Sequence, residues 1–233
     1  MRASHGAALT LSLLVSAAAG ASLLPPGTGG QPPDVFAGCA GCTLLAAIDS
    51  GIVSASFDGV VLNFDLVTAV YADPSNTFGA GKLDFMYQVT NEATSTDSIG
   101  RVTATDFAGF ATDVGFTATG ASLPGGFFAN GSVVPGFVDR NTGTTVGFGF
   151  TVPLALVPPG QASMVLVIET DANTFALGEA SVIDGKATTL SAFGPSQSES
   201  VPEPGTLLLL AGGILALSGM RTLRSGGLAR RRL

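Results

Sequence analysis

Between Gly51 and Phe193 no stretch carries a long, capped pattern of 3.6-residue period, and this directs the fold toward sheets. Alternation takes its place. KLDFMYQVT sets Leu83, Phe85, Tyr87 and Val89 on one face and Asp84, Met86, Gln88 and Thr90 on the other, the period of two expected of a half-buried strand. TTVGFGFTVPL does the same with Val146, Phe148, Phe150 and Val152, while ASMVLVIET is short and apolar on both faces, as a central strand would be. IVSASF, VVLNFDLV, IGRVTATDF, DVGFTAT and a weaker segment from Ala180 to Ile183 add further strands. Turn chemistry separates them: DPSN at Asp73, PGG at Pro124, NG at Asn130, NTG at Asn141, PPG at Pro158 and DG at Asp184. Seven or eight short strands so punctuated predict an all-β domain over 51–193, an antiparallel β-sandwich of immunoglobulin-like or jelly-roll type.

The segments flanking this domain address it to a place. Arg2 and His5 precede an apolar run from Ala7 to Val15 and then small residues, which predicts a secretory signal peptide over 1–21, removed by signal peptidase after export through the Sec machinery. Cleavage takes away His5, the chain's one histidine, and with it imidazole chemistry. From Ser22 to Ser200 sixteen acids face four cations, so the exported part carries about −12 against −7 for the whole chain. Such a body repels nucleic acid and anionic lipid.

The far end has the opposite character. Pro202 and Pro204 keep the chain extended, so a helix starts no earlier than about Pro204. Continued from 205 to 223, that helix would rise about 28 Å against a hydrocarbon core of about 30 Å. Seven Leu and Ile residues between Leu207 and Leu217 favour insertion. Arg221, Arg224, Arg230, Arg231 and Arg232, in a basic tail over 221–233, act as the cytoplasmic stop. GPSQSES, over 194–200, reads as a Ser-rich tether ahead of this anchor.

Val201, Pro202, Glu203 and Pro204, followed by Gly205, Thr206, a leucine-rich helix and a terminal arginine cluster, resemble the PEP-CTERM sorting signal of Gram-negative bacteria. The likeness covers residues 201–233 and leaves the body unassigned. It implies recognition by exosortase, a membrane-embedded, transpeptidase-like cysteine enzyme. It also implies an inner-membrane anchor before processing, a final place at the cell surface or in the extracellular matrix, and the company of exopolysaccharide and biofilm.

Candidate chemistry within the body is sparse. The lead-in over 22–50 is dense in Pro and Gly and contains GCAGC, with Cys39 and Cys42. A thioredoxin-like site would need a βαβ context, haem attachment a His where Thr43 stands, and zinc two further ligands recruited from carboxylates. A local disulfide in an oxidising compartment is the plainer reading. ETDANT places Glu169, Asp171 and Asn173 at alternate positions after a strand, a spacing that suits calcium and equally a solvated face. No catalytic constellation, cofactor motif or other metal set emerges, and the scattered acids are explained by turns as readily as by a glycoside hydrolase. With no Trp and only Tyr71 and Tyr87, the chain also lacks the flat platforms usual for sugar binding. Phe127 and Phe128 in LPGGFFANGS form either an exposed contact or a loop folded over the sandwich end.

Overall fold

Two twisted sheets, mostly antiparallel, carry the body in the computed structural model, which describes residues 22–150 and 156–197. The strands are β1 (Ser22–Leu23), β2 (Asp34–Val35), β3 (Thr43–Asp49), β4 (Val53–Phe57), β5 (Val60–Asp73), β6 (Lys82–Asn91) and β7 (Arg101–Ala104). They continue as β8 (Thr112–Thr117), β9 (Phe137–Arg140), β10 (Val146–Gly149), β11 (Gln161–Ala162), β12 (Val165–Thr170), β13 (Thr174–Asp184) and β14 (Lys186–Ser196). The larger sheet runs β1-β8-β12-β6-β5-β3, with β2, β4 and β11 paired at its margins. The smaller runs β14-β13-β7-β10-β9.

Alternation along β5, β6 and β12 sends Leu62, Phe64, Leu66, Leu83, Phe85, Tyr87, Leu166 and Ile168 into the space between the sheets. Val102, Val146, Phe148, Phe150, Ala180 and Val182 meet them from the other side, and Phe85 packs edge-on against Phe107 at 5.8 Å. The sandwich-like core is therefore built from the residues that the period of two selects. Val152 of the same pattern lies outside the described residues.

Three features depart from the sequence expectation. First, β6 is buried on both faces: Asp84 and Met86 are fully buried and Gln88 nearly so. The outer face of the larger sheet is covered by the lead-in and the loop after β8, which seat Phe36, Cys42, Leu123 and Phe128 on Val67, Ala69, Tyr71, Met86 and Val167. Gln88 pins that loop through Nε2 to the carbonyls of Ala129 and Ser163, while its Oε1 accepts from the Ala129 N–H. Phe128 is thus core and Phe127 is exposed, and the loop lies over a sheet face, not over the sandwich end.

Second, the lead-in is part of the sheet. β3 pairs with β5 from Thr43↔Ala72 to Asp49↔Val67. Buried Arg140 ties Leu24 down, donating to its carbonyl, to Thr112 Oγ1 and to the carbonyls of Phe107 and Phe110.

Third, the weak segment near Ala180 lies in one arm of a hairpin of two eleven-residue strands, β13–β14, turned at Gly185 with φ of 67°. Only five of its twenty-two strand residues are buried, so little apolar periodicity marks it. β14 continues through Ser196, and Gly194 and Pro195 are buried, so the first part of the tether expected over 194–200 is strand; residues 198–200 lie outside the described residues.

Candidate functional site

Cross-strand register gathers acids that are far apart in the chain. Asp84 on β6 pairs with Glu169 on β12, and Glu169 pairs in turn with Asp113 on β8. Directly paired residues share a face, so the three carboxylates stand in a row on the outer face. Tyr71 is the β5 partner of Asp84, and Asp73, two residues on, returns to the same face at the end of that strand. Asp73 and Asp84 are fully buried, Asp113 is 1% exposed and Glu169 is 5% exposed.

The DPSNTF loop closes over this row because its short polar side chains bond back to the strands. Ser75 donates to Asp73 Oδ1 from both N–H and hydroxyl at 2.7 Å. Asn76 Nδ2 donates to Asp84 Oδ1 at 2.7 Å, and Thr77 donates to Glu169 from its N–H at 3.1 Å and from its hydroxyl at 3.3 Å. These bonds leave one oxygen each of Asp73 and Asp84, and both of Asp113, without a hydrogen-bond partner. Thr77 and the Val114 N–H still lie near enough to Asp113 to favour its charge.

Beside the acids sits the disulfide. Cys39 and Cys42 are bonded to each other with Cα atoms 5.3 Å apart, and their sulfurs and the carboxylate oxygens of Asp73 and Asp84 all lie within 4.8 Å of one another. The carboxylates that a zinc reading would have had to recruit are therefore adjacent, but the sulfurs are engaged with each other. A thiolate, not a disulfide, is the metal ligand.

Electrostatics in the row is one-sided. Burial pushes the Asp84 carboxyl up to about 9, and the charges of Asp73 and Glu169 add to this while the Asn76 hydrogen bond opposes it. Burial likewise raises Glu169 and Asp113. Among the described residues the one side-chain ion pair is Arg101–Asp139, on the other sheet, so no cation neutralises the acids.

The ETDANT trio is divided. Glu169 belongs to the row, whereas Asp171 and Asn173 hold Lys82, whose Nζ donates to the Asp171 carbonyl at 2.7 Å and to Asn173 Oδ1 at 2.9 Å. The ammonium stands where that reading would have placed calcium. Asp73, Asp84 and Asp113 were not legible as site residues from sequence. The available signal was an acid embedded in each of several otherwise apolar strands.

A second feature is a cleft of about 400 Å³ lined by Asp106, Phe110, Thr144, Leu177, Pro195 and Gln197 among others. Asp106 is its one carboxylate. Leu177 is 70% exposed.

The described residues include no helix long and apolar enough to cross a membrane. The signal peptide over 1–21, the motif at Val201–Pro204, the helix over 205–223 and the arginines from Arg221 to Arg232 all lie outside them. Residues 200–224 match the family model described as the PEP-CTERM protein-sorting motif. The chain carries a PEP-CTERM sorting motif. That motif implies export and sorting to the cell surface by exosortase. No curated protein and no solved structure matches the chain, so the family of the PEP-CTERM protein's body is unassigned.

Proposed function

We propose that this chain is a non-enzymatic surface protein: exported, anchored in the inner membrane by its C-terminus, and sorted by exosortase to the cell surface or the exopolysaccharide matrix. The observation that carries this reading is the PEP-CTERM motif at 200–224, placed directly after an acidic β-sandwich. In the proposal Glu203 and its flanking prolines are grasped as extended backbone, the apolar segment holds the chain in the membrane, and the arginines stop transfer.

The arrangement of acids supports a role without turnover. A glycoside hydrolase needs two carboxyl groups flanking an accessible bond. Asp73 and Asp84 are buried under a loop and a disulfide, and the open cleft has a single carboxylate.

The cleft favours one second reading, a lectin-like module. Asp106, Thr144 and Gln197 offer hydrogen-bonding groups next to the Phe110 ring, a small version of a saccharide subsite. Purified body would then bind exopolysaccharide in a pull-down and lose it in Asp106→Ala.

Mass spectrometry of the mature C-terminus from native cells tests the principal reading. Truncation near Pro204 is expected in wild type and is expected to be absent in the double variant Pro202→Ala, Pro204→Ala. An intact C-terminus in wild type, or unchanged processing of the variant, overturns it.

A further inference from the structure

A short piece of chain ties the sorting motif to the body. Gln197 is the last described residue before it, and the six residues that lead on to Glu203 reach at most about 22 Å fully extended. A flexible chain of that length spans about 14 Å on average. A small domain is already about 30 Å across. An enzyme with residues 201–204 in its grip therefore stands against the end of the sandwich from which the chain leaves, and the tether gives any contact made there an effective concentration of about millimolar.

That end presents the cleft of about 400 Å³, since Pro195 and Gln197 line it. Its apolar wall is Phe110 and Leu177, and Leu177, opposite Phe193 on β14, is 70% exposed. Asp106 stands among them at a φ of 75°, a left-handed backbone that few residues other than glycine adopt. Two glycines make room for it: a methyl group on Gly178 would collide with the Asp106 carboxylate, and one on Gly194 would press on the Asp106 Cβ. The carboxylate accepts from Thr105 Oγ1 at 3.2 Å and has no cation, Arg101–Asp139 being the one side-chain ion pair among the described residues. A strained acid beside exposed apolar groups suits a cation carried on an aliphatic stem, the chemistry of a lysine or arginine side chain.

We propose that, given the principal reading, this cleft is a second contact for the sorting enzyme, receiving a basic side chain of that enzyme while residues 201–204 occupy its catalytic site. The sandwich is then a participant in its own sorting, because the contact adds affinity that the motif alone lacks. Charges at the rim of an interface act chiefly on the rate of association, so loss of this one shows as slower processing to the same mature C-terminus.

The test follows the full chain in native cells by pulse-chase, with mass spectrometry of the C-terminus. Asp106→Asn removes the charge, keeps the side chain's size and tolerates the left-handed backbone, while Leu177→Glu puts an acid on the apolar wall. Both are expected to be exported, to keep β-type circular dichroism and to be processed about tenfold more slowly than wild type. Ile52→Glu, equally exposed between β3 and β4, is expected to be processed at the wild-type rate. Insertion of about thirty Gly/Ser residues after Gln197 lowers the effective concentration about fifteenfold. It is expected to slow wild type toward the variants and to leave Asp106→Asn at its own rate, a pattern that mere misfolding of the variant would not give. Processing of Asp106→Asn and Leu177→Glu at the wild-type rate overturns the proposal and leaves the principal reading standing; an intact C-terminus in wild type overturns both. Loss of polysaccharide binding in Asp106→Asn with processing at the wild-type rate gives the cleft to a saccharide and overturns the proposal as well.

Discussion

Replacing Asp84 by Asn is expected to flatten the pH dependence of stability. Burial among acids raises this carboxyl in the folded state to about 9, against an ordinary value of 3.8. Between those values the native state holds a proton that the unfolded chain releases. The stabilisation is therefore complete below about 3.8, fades as pH rises, and is gone above about 9. One titrating group contributes a slope of at most ~1.4 kcal/mol per pH unit. From pH 5 to pH 8 that amounts to at most ~4 kcal/mol, with the true value reduced by relaxation of the neighbouring acids. Asn fills the same space and cannot titrate, and its amide donates toward Asp73. Urea unfolding followed by circular dichroism, at a series of pH values for both proteins, isolates the Asp84 contribution as the difference. The variant is expected to overtake wild type as pH rises. Parallel stability curves would refute the account, because they would mean that Asp84 does not hold its proton across neutral pH.

Two further substitutions probe the covered face and the lead-in. Phe128→Ala removes a ring buried against the larger sheet and is expected to cost about 3–5 kcal/mol in denaturant unfolding. Its exposed neighbour Phe127→Ala is expected to change stability by no more than about 0.5 kcal/mol, and equal losses would contradict the placement of this loop. Arg140→Met takes a donor from the carbonyls of Leu24, Phe107 and Phe110, of which Leu24 keeps the Thr112 hydroxyl and Phe107 the Phe110 N–H, and is expected to cost about 3 kcal/mol, with faster proteolysis of the lead-in as a second readout.

The strands that face the core were legible because alternation is a local property. Leu83, Phe85, Tyr87 and Val89 point one way whatever the rest of the chain does. The hairpin β13–β14 was half missed for the converse reason, since exposed strand residues carry no hydrophobic signature, and the weak segment from Ala180 to Ile183 and the Asp184–Gly185 turn were what announced it. β3 was read as lead-in although TLLAAID is apolar enough for a strand, because Pro and Gly dominate the segment before it.

The sorting motif and the acid row mark the two limits. Val201, Pro202, Glu203 and Pro204 could be read directly, because a sorting motif is contiguous in sequence. The acid row could not. Asp73, Asp84, Asp113 and Glu169 come together through the register of four strands, and register is decided by which residues pair across the sheet. The alternating pattern put Asp84 on the face opposite the core, and in that it was right; it had no means of knowing that a loop and a disulfide cover that face. Burial is a property of what packs on top of a residue, so tertiary structure alone turned an ordinary surface acid into a carboxyl held well above the usual carboxylate range.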